Sequence, residues 1–401
     1  MALPSGAALL PAERRVVASL AAIYATRLLG LFLLLPVLAL HAGALPGGTP
    51  LLAGIAVGAY GLAQAIMQIP FGAWSDRIGR KPLIVVGLVL HIAGSALGAV
   101  AGSAWAIIVA RIVQGLGAVS GPVMALLADL TRPASRTRAM LIIGMSIGAS
   151  FVLSLVAGPL LAGAIGVSGV FVLIGVLGVL AFGIVLIALP AEPARPARAA
   201  VYRSWRSVLT RTLMPYFAGI FVLHLTLTAT FIAVPHALRD LHGIAAARHW
   251  LVYVAVFGAS LVLTLPLVLW SERVRNAGRA AFAAGALLAA ALLALAWAER
   301  DLGGLAAALA LYFGAFNFLE ARLPAALTEA AGEASRGAAL GVFATCQFAG
   351  AFAGGVVGGA LLGTNVAGPA IFTAGAVAVF AWLPLARRTG LAGAIFDAGA
   401  R

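Results

Sequence analysis

Long apolar stretches alternate along this chain with short segments that hold nearly all of its charge. A helix needs about 20 mainly apolar residues to cross a bilayer core. Twelve runs meet that length: 16–40, 51–73, 82–101, 104–127, 139–164 and 168–190, then 212–236, 248–270, 279–298, 302–325, 337–361 and 367–386. Glycine (48 residues) and proline (19) fall inside many of them, which packed membrane helices tolerate because neighbours and local distortions recover the lost hydrogen bonds. The pattern predicts an all-α membrane protein with 12 transmembrane helices.

The pattern also repeats. Pro70, Trp74, Ser75, Asp76 and Arg77 return as Pro266, Trp270, Ser271, Glu272 and Arg273. Asp129, Ala134, Ser135, Arg136, Gly158, Leu161 and Gly163 return as Glu329, Ala334, Ser335, Arg336, Gly358, Leu361 and Gly363. Two pseudo-symmetric six-helix bundles follow, 1–190 and 212–401, joined by a linker over 191–211. That linker is rich in Pro193, Pro196, Arg195, Arg198, Arg203 and Arg206, a composition suited to a connector. Tyr202 and Trp205 interleaved with arginine make it either a segment lying on an anionic leaflet or an ordinary solvated connector.

Composition agrees, with 63% hydrophobic residues against the ~45–50% usual in soluble proteins. The net charge of +14 would suit nucleic acid, but its distribution points to a membrane instead. Twenty of the 26 Lys and Arg fall on one side: two before the first run, then three, three, five, three and one in alternate loops, and three at the end. Arg239, Arg248 and Arg300 fall on the other side, and Arg27, Arg111 and Arg322 within runs. The positive-inside rule then places both termini in the cytoplasm. Residues 1–13 lack a charged signal-type start and the first run carries Arg27, so it reads as a retained helix. Cys346 is the single cysteine, so no internal disulfide or cysteine-based metal site is expected. The histidines show no short metal-ligand spacing within one helix; no metal and no cofactor is expected.

Between the second and third runs the chain reads Gly72-Ala-Trp-Ser-Asp76-Arg77-Ile-Gly79-Arg80-Lys81. Gly72 removes a side chain where helices can approach closely. A carboxylate such as Asp76 suits the positive end of a neighbouring helix, worth ~0.3–1 kcal/mol when exposed and up to ~2 when partly buried. That is enough to bias two conformers and little enough to release. A plainer reading is that Arg77, Arg80 and Lys81 only anchor the loop on the basic side. The second-half copy keeps Glu272 and Arg273 but has Val268 in place of Gly72 and Arg275-Asn276 in place of Gly79-Arg80. It is expected to be the weaker of two unequal gates.

With Arg111-Ile-Val-Gln114-Gly115 in the fourth run, a Gly-Pro stretch in the fifth, and Asp129 with Arg136 before it, the chain resembles the major facilitator superfamily and its twelve-helix drug:proton antiporter branch. Arg27 to Pro36 and Phe316 to Pro324 resemble YajR-type transporters, so the likeness covers essentially the whole chain. The chain stops soon after the last run, so the small C-terminal cytoplasmic domain of some YajR-type proteins is expected to be absent. The resemblance implies proton-driven export of small amphiphilic molecules across a bacterial inner membrane. It implies a monomer acting on substrate and protons within the lipid bilayer, with no nucleic acid. It also implies that, in the outward-open form, Asp76 meets the start of the eleventh run near Ser335 to Gly341 and Arg77 pairs with Asp129. The antiporter pattern of the fifth run falls on Gly144, Gly148, Ser154, Gly158, Pro159, Ala162 and Gly163, with Ser154 and Ala162 where the family has glycine. That stretch could equally be a generic packing stripe.

Polar residues inside the runs are the remaining candidates. Arg27 lies about 16 Å along the first run by the rise per residue. A cationic side chain there costs ~2.5–3.5 kcal/mol on insertion scales, which predicts a cavity or a partner; snorkelling to an interface is the alternative. Arg111 and Gln114 share a helix face and fit either proton-linked or structural roles. Tyr60, Gln64 and Gln68 recur every four residues, lining a cavity or bonding neighbouring helices. His224 and His91 can titrate near neutral pH or simply hydrogen-bond in the interior. Glu320 is the single carboxylate inside a run, with Asn317 and Arg322 close by; it is a proton carrier or half of an ion pair with Arg322. A transporter of a specific metabolite such as a sugar is the rival reading. No clustered acid, base and nucleophile suggests an enzyme, and no Gly-x-x-x-x-Gly-Lys-Ser/Thr run suggests ATP use.

Overall fold

The computed structural model describes residues 8–190, 192, 205–274, 277–332, 335–364 and 367–387. Linker residues Pro193, Arg195, Pro196, Arg198, Tyr202 and Arg203, together with Arg275, Asn276 and Ala334, lie outside the described residues. The described chain forms thirteen α-helices: α1 Pro11–Leu34, α2 Leu38–Ala44, α3 Pro50–Ile78, α4 Arg80–Ala99, α5 Ala104–Leu116, α6 Ser120–Leu130, α7 Pro133–Ile187, α8 Met214–Asp240, α9 His249–Val274, α10 Ala277–Ala298, α11 Leu302–Ala331, α12 Arg336–Leu362 and α13 Ala367–Ala386.

Local sequence explains the boundaries. Thr49, Ser103 and Asp301 cap α3, α5 and α11 by accepting from Leu52 N, Ala106 N and Gly304 N at 3.1, 3.2 and 2.6 Å. Pro11, Pro50 and Pro133 stand at first helical positions, where the missing N–H costs nothing.

Three apolar runs differ from single straight helices. The first ends at Leu34 and resumes in α2 beyond a turn over Leu35, Pro36 and Val37, because proline cannot donate to the preceding turn. The fourth divides at Gly117, where the backbone leaves the helical region (φ −77°, ψ 70°). The fifth and sixth join in the 55-residue α7, broken at Gly166 with φ 71° and ψ 166°, a conformation that glycine adopts without a Cβ penalty. Counting α5 with α6 as one crossing and α7 as two, the twelve expected crossings are present.

The side carrying Arg80, Arg132 and Arg136 is called here the basic face. The two halves touch toward the opposite face. Early in α3 and late in α12, glycines face each other so closely that a methyl added at Gly54 would lie 2.6 Å from Gly359 Cα, and one at Gly58 2.9 Å from the Phe352 carbonyl. A methyl at Gly163 in α7 would meet Ala247 Cβ at 2.5 Å, just before α9. Phe151 of α7 packs its ring on Phe231, Phe257 and Phe313 of the second half, at 6.3, 5.8 and 6.4 Å between centroids. Toward the basic face the picture reverses: methyls added at Gly72, Gly337 or Gly341 would meet nothing within 4 Å. Close packing thus holds the halves together at one end, and open space surrounds these three glycines at the other.

Candidate functional site

The first half buries a polar cluster around Tyr60. Arg27, 4% exposed, donates from Nη2 to Gln64 Oε1 at 2.7 Å and to the Gly117 carbonyl. That carbonyl lies where the helix breaks at Gly117 and also accepts from Val119 N at 2.9 Å. Two guanidiniums lie over the Tyr60 ring, with Arg27 Cζ 5.8 Å and Arg111 Cζ 4.8 Å from its centroid. Arg111, 2% exposed, donates to Gln114 Oε1 at 3.0 Å, and Gln114 donates to Ser95 Oγ at 2.9 Å. Gln68 accepts from Gln64 at 3.4 Å and from Ser120 at 3.1 Å. The stripe Tyr60, Gln64 and Gln68 therefore joins α1, α3 and α6 and lies next to the facing half, since the Tyr60 ring meets Phe348 of α12 at 6.4 Å.

The second half carries a different cluster one residue from that contact. Gln347 Nε2 lies 2.8 Å from His224 Nε2 and donates to Glu320 Oε1 at 3.2 Å. His224 Nδ1 is 3.8 Å from Glu320 Oε2. Three helices, α8, α11 and α12, thus converge on one carboxylate, whose side chain is 36% exposed. No ion pair of Glu320 with Arg322 is made among the described residues, and Arg322 Nε and Glu320 Oε2 are buried without a hydrogen-bond partner. Asn317 also leaves the cluster, donating instead to Ser260 Oγ of α9 at 3.4 Å. His91 lies beside the first cluster, its carbonyl accepting from Ser95 Oγ at 2.7 Å, but both its ring nitrogens are buried without hydrogen-bond partners, beside Gly30.

At the basic face, Gly79 has φ 105° between α3 and α4, and the turn folds Arg80 back over Asp76 at 2.5 Å. Arg80 reaches Asp129 at 3.4 Å as well and donates to Ser75 Oγ at 2.7 Å. The expected partner of Asp129 was Arg77; the structure puts Arg80 there, and Arg77 is exposed. The contact of Asp76 with Ser335 to Gly341, expected of the outward-open form, is not made in this arrangement, and the close approach expected at Gly72 is not made either. Lys81 N donates to Glu192, and Lys81 Nζ to the Leu189 carbonyl at 3.0 Å. Arg136 donates to the Ala128 and Thr131 carbonyls at the end of α6, at 3.1 and 3.4 Å, where a cation opposes the helix dipole favourably. The second-half counterparts Glu272 and Arg273 are exposed and form no ion pair among the described residues. In the fifth crossing Gly158 packs on Pro36, which a methyl there would meet at 3.2 Å, while a methyl at Gly148 would meet nothing within 4 Å. Pro159 lies inside the helix and Ser154 Oγ is buried without a partner.

Sequence reasoning missed two groups. Gln347 is a lone glutamine in an apolar run, and no spacing links it to Glu320. Glu13, nearly fully buried, accepts from Arg132 N at 2.9 Å, Arg132 Nε at 3.0 Å and Ser135 Oγ at 2.9 Å, tying the start of α1 to that of α7. Its signal was present, since an acidic residue two places after Pro11 is suited to a helix start.

A helical membrane protein of two repeated six-crossing halves, packed together at one face with charge buried near their junction, is built as a transporter. The sequence pattern of the Major Facilitator Superfamily matches residues 20–318, and the chain belongs to that family. It is 38% identical over 380 residues to the inner membrane transport protein YajR of Escherichia coli (strain K12), covering 94% of this chain and 83% of that one. It is 28% identical over 257 residues to the multidrug resistance protein MdtH of Yersinia enterocolitica, covering 61% of each. In fold it is similar to the crystal structure of a D-xylose-proton symporter, with TM-score 0.75, 16% identity and coverage of 93% and 96% of the two chains.

Proposed function

We propose that the chain is a proton-coupled exporter of small amphiphilic molecules, working by alternating access of its halves in a bacterial inner membrane, with the basic face and both termini in the cytoplasm. The observation that carries the reading is Glu320, a carboxylate within a membrane crossing that is partly exposed and bonded to Gln347 beside His224. An ionisable group at that depth is costly unless used. As a proton acceptor, Glu320 changes charge with each turnover, and Gln347, which bonds both groups, reports that change to α8 and α12. The similarity to a multidrug resistance protein supports the amphiphilic substrate class.

The energetics suffice. Each proton moving down ~100 mV releases ~2.3 kcal/mol, enough for about a fifty-fold gradient of an uncharged substrate. In this reading the glycine contact of α3 with α12 is the closed gate of a cytoplasm-open state. The Asp76, Arg80 and Asp129 network is a latch held ready at the open end. The test is transport by purified protein in vesicles: flux that persists unchanged after the pH gradient and potential are collapsed overturns proton coupling.

A further inference from the structure

We propose that the substrate carries an anionic head group, a carboxylate, sulfonate or phosphate, and that Arg27 is its seat; the inference rests on the transporter reading and names its substrate class. The observation is a charge imbalance in the first half. Arg27 and Arg111 are both buried and flank one tyrosine ring, yet neither has a carboxylate partner among the described residues. All their hydrogen bonds go to neutral acceptors, two glutamines and one backbone carbonyl. The Nε of each, and the Tyr60 hydroxyl, are buried with no hydrogen-bond partner.

The carboxylates of this half, and Glu192 at the start of the linker, are committed elsewhere. Glu13, Asp76, Asp129 and Glu192 all lie at the basic face, engaged by Arg132, Arg80 and the start of α4. A buried charge without a countercharge is strongly unfavourable, and guanidinium is suited to planar anions that accept two parallel bonds. An anion binding at Arg27 replaces Gln64 or the Gly117 carbonyl, exchanging a neutral acceptor for a charged one.

Arg27 rather than Arg111 is the seat because of what surrounds each. Arg111 is anchored through Gln114 and Ser95 to α4, deep within its own half. Arg27 is on α1, next to half-buried Ser120 and Gly121 through Gln64 and Gln68. Phe32 follows it on α1 and packs on Phe151 at 5.1 Å, within the aromatic group that joins the halves. The Tyr60 ring that Arg27 covers meets Phe348 of the other half at 6.4 Å, so an anionic head at Arg27 places a flat apolar body against rings of both halves.

The experiment is calorimetric titration of the purified full chain in lipid nanodiscs at low ionic strength. The probes are naphthalene-2-sulfonate, 2-naphthoate and 2-naphthyl phosphate, against the matched cation naphthalen-2-ylmethylammonium. At least one anion is expected to bind tenfold or more tightly than the cation. Arg27→Gln should reduce that preference to within about threefold, and Arg27→Lys, which keeps the charge, should restore part of it. Equal or tighter binding of the cation, no binding of any of the anions, or an undiminished preference in Arg27→Gln overturns the proposal. If Arg27→Gln fails to fold, the wild-type preference and Arg27→Lys still decide. Binding is measured without a gradient, so a protein that prefers anions yet transports without proton drive refutes the coupling and leaves this inference standing.

Discussion

The two halves descend from one sequence pattern, yet each buries a different kind of polar cluster where they face each other. The first half holds two guanidiniums with no carboxylate partner among the described residues; the second holds one carboxylate beside a histidine and a glutamine. Arginine stays charged at any physiological pH, so the first cluster is a fixed positive wall. A carboxylate and an imidazole can each exist in two charge states, so the second can change. On the reading proposed above, the difference between the clusters divides the work between two similar scaffolds: one half recognises, the other couples.

The comparison breaks most directly at Glu320. In Glu320→Gln the amide cannot ionise, and proton-driven flux in vesicles should fall by about 100-fold while substrate exchange without a gradient continues. A loss of one charge-assisted interaction worth ~1.5–3 kcal/mol corresponds to roughly ten- to a hundred-fold, and loss of the coupling proton places this variant at the upper end. Unchanged driven flux would mean that the second half does not couple.

Gln347→Leu is a sharper and smaller probe. It leaves Glu320 and His224 in place but removes the donor that bonds both of them. About a tenfold loss of driven flux is expected, with anion binding at the first half unaltered. A loss confined to binding would reverse the assignment of the two clusters.

The difference between the halves was only partly legible in the sequence. Twelve runs, the twofold repeat and the conspicuous residues Arg27, Arg111 and Glu320 could be read from hydropathy, because a charge among apolar residues stands out. Gln347 could not, since a single glutamine in an apolar run acquires meaning only when α12 carries it to α11. The break at Gly117 was equally silent: glycine is common in these runs, and what matters is the carbonyl it presents to Arg27. At the basic turn, Asp76 and Arg80 are four residues apart across Gly79, and it was the φ of 105° at that glycine that chose Arg80 over Arg77 for Asp129.

That turn and its copy give the smallest effects and a second comparison of the halves. Asp76 is held by Arg80, which also reaches Asp129, whereas Glu272 is exposed and forms no ion pair among the described residues. Helix-end and ion-pair terms of up to ~2 kcal/mol allow Asp76→Asn to slow transport by several-fold to tenfold. Glu272→Gln should change it by less than about twofold, because an exposed charge contributes little. Single-cysteine accessibility at Gly341, in the wild-type background and in each variant, measures the same asymmetry without transport. Asp76→Asn should shift that accessibility and Glu272→Gln should not, since the first removes a carboxylate held by Arg80 and the second an exposed one. Equal shifts in both would show that the two gates kept the equivalence their sequences began with.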